Sequence, residues 1–148
     1  VGNMAEGFAE SSVFIEREYE LFIQSQAAME PLTATARVTD NNCELWGPVQ
    51  IVDLPIMIAK KITGLPPEKI KINTIYLGGG FGRKTEADFI VSHIVASKVL
   101  GKPTQITWSR EADIHGGFYR PLSLVQLKAG LSSEGLPHTF DAKMISPS

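Results

Sequence analysis

The chain has 148 residues, of which 43% are hydrophobic, with 14 basic and 16 acidic side chains. This length and apolar content predict a single folded domain over residues 1–148. The formal net charge of −2 argues against a nucleic-acid partner and an anionic-membrane surface. No run reaches the roughly 20 apolar residues of a transmembrane segment. A lone cysteine, Cys43, excludes an internal disulfide, and the composition does not distinguish a cytoplasmic from a periplasmic location.

Strand patterns dominate the first third of the chain. Residues Val13–Phe22 alternate between apolar and mostly acidic side chains, which is the period of a half-buried strand. Thr35–Val38 and Cys43–Trp46 are short strand-like runs separated by a turn rich in Asp and Asn. These two runs predict a β-hairpin.

Two helices are predicted further along. Asp53–Thr63 has Asp53 as a possible N-cap, a proline in the first turn and Gly64 just beyond its end. In Thr85–Leu100 the apolar residues recur at spacings of three and four, and Gly101 follows as a stop signal. We therefore expect one short and one longer amphipathic helix.

Strand patterns return between and after the helices. Ile70–Leu77, Thr104–Trp108 and Leu122–Ala129 are apolar or alternating runs that predict strands, whereas Arg110–Pro121 has no clear period and is predicted to be an ordered loop. The mixture of elements predicts an α+β fold in which helices pack on a mixed sheet.

A cluster of glycines, Gly78–Gly82, stands between a predicted strand and the longer predicted helix. Glycines remove side chains where the backbone approaches a ligand closely, but they also permit tight turns, so ligand binding and simple turning stay equally open. A dinucleotide-binding fingerprint fails because Arg83 occupies its final glycine position. A nucleotide-phosphate loop would place Lys84-Thr85 correctly, yet Arg83 again replaces a glycine, which leaves a degenerate nucleotide-binding loop as an alternative.

Five motifs together carry a resemblance to a known family. They are Ala28–Pro31, Glu44–Gln50, Leu65–Lys69, the string GGGFGRK at Gly78–Lys84, and Trp108–Glu111. In this order and spacing they resemble the molybdopterin-binding large subunit of the xanthine dehydrogenase and aldehyde oxidase family. The resemblance implies an α+β, two-layer sandwich fold of the aldehyde oxidase molybdopterin-binding type.

A sixth motif, Gly117–Pro121, is similar to the branch that contains the isoquinoline oxidoreductase beta subunit. This resemblance implies a molybdopterin cytosine dinucleotide with molybdenum, and hydroxylation of aldehydes or N-heterocyclic aromatics with water as the oxygen source. The chain starts at Val1 rather than methionine, so we expect a fragment of the large subunit, with a processed mature protein as the alternative.

The resemblance also assigns residues to the cofactor. The set is Gln50, Gly79, Gly80, Phe81, Gly82 and Arg83. It implies that the loop amides and the Phe81 ring lie beside the molybdenum, and that the Gln50 amide lies near the apical oxo ligand, with a capping amide as the alternative. Arg83 offers a fork of donors for a phosphate or pterin oxygen, and its alternative is a solvated arginine at a helix start.

Three further residues are candidates for contact with the substrate. Glu30 could line the substrate approach or be an exposed turn carboxylate. Tyr119 and Arg120 could orient an aromatic substrate or serve as ordinary packing residues. Relatives that act on purines carry a glutamate directly after the loop lysine, whereas Thr85 stands there and Glu86 follows, so purine specificity is not expected.

Neither a catalytic residue nor a protein metal ligand is assigned in this sequence. His93, His115 and His138 lack the paired spacing of a metal site. The resemblance implies that the catalytic glutamate lies in a glycine-rich segment near the large subunit's C-terminus, and no matching segment occurs before Ser148. We therefore predict that residues 1–148 alone have no hydroxylase turnover.

The resemblance further implies partners. They are the remainder of the large subunit, an iron–sulfur small subunit or domain that accepts the electrons, and a small-molecule aldehyde or N-heterocycle. One cysteine cannot hold an iron–sulfur cluster, so such clusters are expected only on the partner. A non-catalytic interaction module that keeps the fold is the alternative from another functional class.

Overall fold

A computed structural model describes residues 2–147 and divides them into two compact units. The first unit combines the residues up to Gln24 with those from Tyr119 onward, and the second comprises Ser25–Phe118. The glycine cluster therefore belongs to the second unit. The single-domain interpretation of residues 1–148 stays a prediction.

The second unit is built on a four-stranded mixed sheet. Its strands are β2 (Thr33–Val38), β3 (Cys43–Gly47), β4 (Ile70–Thr74) and β5 (Thr104–Thr107). Their order is β4-β3-β2-β5, in which β3 and β4 are parallel and the other neighbours are antiparallel. The predicted hairpin is confirmed, since β2 pairs with β3 and the Thr39 N–H donates to the Asn42 carbonyl at 2.9 Å across the turn.

Two helices cover this sheet, α2 (Asp53–Thr63) and α3 (Asp88–Leu100). Helix α3 packs against β2 and β5, while α2 packs against α3 and β4. The buried core between the helices and the sheet consists of Leu32, Ala34, Ala36, Val38, Cys43, Leu45, Val49, Ala59, Ile70, Ala87, Phe89, Ile90 and Ile94. A core of this kind fixes β4 and α3, the two elements on either side of the glycine cluster.

Helix ends differ in part from the sequence-based predictions. Helix α2 has the predicted bounds and ends at Gly64, whose φ of 78° is left-handed, but Val52 rather than Asp53 is the N-cap and no side chain caps the helix. Helix α3 begins at Asp88 instead of Thr85, because residues Arg83–Thr85 form a separate 3-10 turn and Ala87 is not helical. The predicted stop after Leu100 is confirmed, with Gly101 at φ 64°.

Part of the predicted loop after β5 is a short helix, α4 (Arg110–His115). The Ser109 side chain accepts a hydrogen bond from the Ala112 N–H at 3.2 Å, which satisfies a backbone donor at the helix start. Six residues are too few to display a helical period, so only the serine cap signals this helix in the sequence. Elsewhere Ile70–Leu77 was predicted as strand, but β4 ends at Thr74.

The first unit is a three-stranded antiparallel sheet with one short helix. Its elements are α1 (Met4–Ala9), β1 (Val13–Leu21), β6 (Ser123–Leu131) and β7 (Pro137–Ile145), and the strand order is β1-β6-β7. The predictions missed α1 and β7. The strand prediction for β1 is confirmed, but its half-buried face is wrong because every residue of β1 is exposed. Of the elements in this unit, only the six-residue α1 packs on the sheet, and it does so against β6 and β7.

The predicted fold class is confirmed, since the structure combines helices with two sheets, one of them mixed.

Among residues 2–147, no helix is both long enough and apolar enough to cross a membrane.

Candidate functional site

The glycine loop, defined here as residues 78–84, follows β4 and leads into α3. Its backbone is left-handed at Gly79 (φ 98°), Phe81 (φ 53°) and Gly82 (φ 90°). Glycine adopts this conformation readily, but a phenylalanine in it is uncommon and is held there by its surroundings. Phe81 is 60% exposed, and its ring lies beside Gly79, where a Cβ atom would be 3.2 Å from Phe81 Cε2.

The loop presents backbone donors that the protein itself does not use. In the described part of the chain, the N–H groups of Gly79, Gly80 and Gly82 donate no hydrogen bond. The following N–H groups do have partners, since Arg83 donates to the Gly80 carbonyl at 2.9 Å and Thr85 to the Gly82 carbonyl at 3.2 Å. Unpaired amides on a left-handed backbone favour binding of an oxygen, sulfur or anionic ligand.

Gln50 is joined to the end of the loop through two hydrogen bonds. Its backbone N–H donates to the Lys84 carbonyl at 3.1 Å, and its side-chain Oε1 accepts from the Lys84 N–H at 3.2 Å. A Cβ atom at Gly80 would lie 2.6 Å from this Oε1, so only glycine permits the approach. Because Oε1 faces a donor within the protein, Nε2 remains as the group that can donate to a ligand.

The buried Lys84 and the partly exposed Glu30 form an ion pair beside the loop. The Lys84 side chain is 1% exposed and its Nζ donates to Glu30 Oε2. The same oxygen accepts from the Gly78 N–H at 2.9 Å. Burial pushes the pKa of Glu30 upward, but the hydrogen bonds from Lys84 and Gly78 and the lysine charge outweigh it and hold that pKa below its ordinary value. Glu30 is therefore an ionised, engaged carboxylate, not the exposed turn carboxylate considered as an alternative.

Arg83 is buried, with 4% of its side chain exposed, so the solvated alternative is wrong. Its two terminal nitrogens donate to the two carboxylate oxygens of Asp88 at 2.7 and 2.8 Å. Its guanidinium carbon lies 5.5 Å from the centre of the Phe118 ring, and its buried Nε has no hydrogen-bond partner among the described residues. Asp88 thus occupies the two terminal donors that were expected to bind the cofactor. A cofactor role for Arg83 stays a prediction.

Further contacts that were not predicted from the sequence support these residues. Arg110 donates from Nη2 to the carbonyls of Ala28 at 2.6 Å and Met29 at 3.1 Å, and from Nη1 to the buried Asp113 at 2.8 Å. These bonds fix the segment that leads into Glu30. The charged residues of the Ala28–Pro31 and Trp108–Glu111 motifs are the signal in the sequence that could have indicated these contacts.

The remaining candidate residues lie elsewhere. Tyr119 and Arg120 belong to the first unit, where the backbone of Arg120 pairs with that of Gln24. His93 is fully buried, with its ring nitrogens 2.7 Å from the Phe89 carbonyl oxygen and 2.9 Å from the Ile106 carbonyl oxygen. No group of three or more His, Cys, Asp or Glu side chains in residues 2–147 could hold a metal ion.

A family model and two related proteins identify the family to which the chain belongs. The model of a family described as the molybdopterin cofactor-binding domain matches residues 1–147. The beta subunit of isoquinoline 1-oxidoreductase from Brevundimonas diminuta is 32% identical over 128 residues, which are 84% of this chain and 16% of that relative. The aldehyde oxidoreductase molybdenum-binding subunit PaoC from Escherichia coli K12 is 28% identical over 137 residues, 91% of this chain and 19% of that relative.

Solved structures share the fold. The aldehyde oxidoreductase from Desulfovibrio gigas matches with a TM-score of 0.70 at 19% identity, covering 98% of this chain and 16% of that chain. Quinoline 2-oxidoreductase from Pseudomonas putida 86 matches with a TM-score of 0.64 at 19% identity, covering 96% and 18%. The chain thus spans less than a fifth of the length of each of these four proteins.

Proposed function

The chain belongs to the molybdopterin cofactor-binding domains of the xanthine dehydrogenase and aldehyde oxidase family, and we propose that its glycine loop contacts the molybdenum cofactor of a hydroxylase. One observation carries this proposal. The N–H groups of Gly79, Gly80 and Gly82 have no partner in the described chain, although the loop is anchored through its other residues. Such donors suit the oxygen and sulfur atoms of a pterin-bound metal.

The residues present fit this cofactor. Gly79, Gly80 and Gly82 would bind it through their amides, Phe81 would place its exposed ring beside it, and Gln50 would donate from Nε2. When bound, the cofactor supplies a metal that takes up two electrons from the substrate while water provides the oxygen atom. The contribution of this chain is to bind and orient the cofactor.

No residue of this chain is proposed as the catalytic base. A general base for hydroxylation at neutral pH works best with a pKa near the working pH. Glu30, the carboxylate nearest to the loop in the contacts described above, has a lowered pKa and is held by Lys84 and Gly78. We therefore propose that the base is contributed from outside residues 1–148, and that this chain alone does not turn over substrate.

The form of the cofactor, the substrate and the partners are proposals as well. We propose a molybdopterin cytosine dinucleotide as the cofactor, as the resemblance of Gly117–Pro121 implies. We propose an aldehyde or an N-heterocyclic aromatic as the substrate, supported by the names of the similar isoquinoline 1-oxidoreductase and aldehyde oxidoreductase PaoC. The proposed partners are the remainder of a large subunit and an iron–sulfur subunit that takes the electrons, because Cys43 is the only cysteine and it is buried.

Metal and nucleotide analysis tests this function. The natural full-length protein that contains the chain should be purified with its co-purifying subunits, and its molybdenum and released cytosine nucleotide should be measured. We expect close to one of each per site. Protein from cells supplied with tungstate is the control and should lack molybdenum. A folded, matured complex with neither molybdenum nor nucleotide would contradict the proposal and favour a non-catalytic module.

A further inference from the structure

The two ends of the glycine loop meet at one carboxylate. Glu30 Oε2 accepts from the Gly78 N–H at the start of the loop and from Lys84 Nζ at its end. The backbone repeats the first contact in the opposite direction, because the Glu30 N–H donates to the Gly78 carbonyl at 3.1 Å. The Glu30 side chain thus links the first and last residues of the loop through two hydrogen bonds, and we call this arrangement the Glu30 bridge.

The burial of Lys84 and the close packing at Gly78 both favour this arrangement. Lys84 is almost completely buried, and a buried ammonium needs an ionised partner to offset the loss of water. At Gly78 a Cβ atom would lie 2.5 Å from the Glu30 Cβ, so the glycine permits the close approach of Glu30 to the backbone. Glycine at the loop start, lysine at its end and the distant glutamate therefore form one unit.

The proposed ligand donors lie between the two residues that the Glu30 bridge links. The unpaired N–H groups of Gly79, Gly80 and Gly82 all lie between Gly78 and Lys84. Gln50 holds the backbone of Lys84 as well, so the end of the loop is fixed twice and its start depends on Glu30. Loss of the Glu30 side-chain contacts would leave the start of the loop held by the backbone bond alone and let these donors change direction.

We propose that Glu30 is a positioning residue that sets the shape of the glycine loop and hence the direction of its unpaired amides. That those amides face a molybdenum cofactor rests on the proposed function, whereas the positioning itself does not. Glu30 then acts through Gly78 and Lys84 without touching the substrate or the metal.

Hydrogen–deuterium exchange of the natural full-length protein without cofactor, from a host that cannot make molybdopterin, tests the positioning directly. Glu30→Gln removes the charge but keeps the size of the side chain. Within a peptide covering residues 76–84, we expect the Gly78 amide to exchange about tenfold faster, since its acceptor becomes a neutral amide oxygen in place of a charged carboxylate. Glu44→Gln is the matched control, because the Glu44 side chain is 25% exposed, against 27% for Glu30, and also has a cationic partner. This control should leave the exchange of the peptide unchanged.

The loaded protein supplies a second readout that a merely structural role would not change. With molybdenum bound, we expect Glu30→Gln to alter the electron paramagnetic resonance spectrum of the reduced molybdenum centre and to lower kcat with little effect on KM. Glu44→Gln should reproduce the unsubstituted protein in both measurements. If Glu30→Gln does not fold, Glu30→Asp replaces it, because that variant keeps the charge near Lys84 and shortens the reach by one methylene.

The outcomes separate the two proposals. Faster exchange of the loop in the Glu30 variant, but not in the Glu44 variant, supports positioning even if the protein proves to contain no molybdenum, which would contradict only the proposed function. Unchanged loop exchange in the folded Glu30 variant overturns the positioning role, whatever the metal content.

Discussion

At the scale of single residues, the glycines of the loop are needed for different physical reasons. Gly79 and Gly82 have the left-handed φ values that other residues adopt only with strain. Gly78 and Gly80 instead make room for the side chains of Glu30 and Gln50, which would collide with a Cβ atom. A glycine string in a sequence does not distinguish these uses, so it indicates a loop without indicating what anchors it.

The carboxylate of Glu30 gives a residue-scale prediction for pH. Because its pKa is lowered in the folded protein, its stabilising contribution is fully present above the ordinary glutamate pKa of about 4.3 and is lost as the pH falls through the lowered value. We expect Glu30→Gln to lower the Tm at pH 7, and we expect the difference from the unsubstituted protein to shrink as the pH falls below the ordinary glutamate pKa. Calorimetric scans across this range check it, and an equal difference at both ends would contradict it.

At the scale of elements, the start of α3 shows where sequence reasoning stops. The spacing of apolar residues predicts a helix from Thr85, but the loop geometry extends through a 3-10 turn and α3 begins at Asp88. Asp88 then accepts both terminal nitrogens of the buried Arg83. This side-chain contact joins the loop to the helix, and no periodic pattern contains it.

Removal of one partner from that contact should be costly. Asp88→Asn leaves the Arg83 guanidinium buried without a counter-charge, and we expect the free energy of unfolding to fall by about 3 kcal/mol. Urea denaturation measures the effect. The control is Glu16→Gln, which breaks an ion pair of similar length, 2.8 Å to Lys128, between exposed side chains and should change stability little. Equal losses in the two variants would contradict the account.

The hairpin, the two longer helices and most strands were predictable because local spacing and turn residues define them. The anchoring of the site was not, because its contacts join residues far apart in the chain: Glu30 and Lys84 are 54 positions apart, and Gln50 and Lys84 are 34 apart. The burial of β1 was predicted wrongly for a related reason. Alternation of side chains shows that a strand has an apolar side, but it does not show what covers that side.

At the scale of the whole molecule, the chain spans only a small part of the length of its relatives. It spans 16% of the isoquinoline 1-oxidoreductase beta subunit and 19% of PaoC, while the family model covers residues 1–147. Within this span lie a loop with unpaired amides and the residues that hold it. The base and the electron acceptor are proposed to come from outside the chain, and the role proposed for this domain is to orient the cofactor.

Anomalous X-ray diffraction tests the central claim, that the glycine loop contacts the cofactor metal centre. Crystals of the natural full-length protein should be measured on both sides of the molybdenum absorption edge, which locates the metal independently of any assumed site. We predict a single molybdenum peak per site, with its ligands in contact with the amides of Gly79, Gly80 and Gly82. A molybdenum peak remote from this loop, or none in crystals of the matured protein, would contradict the account.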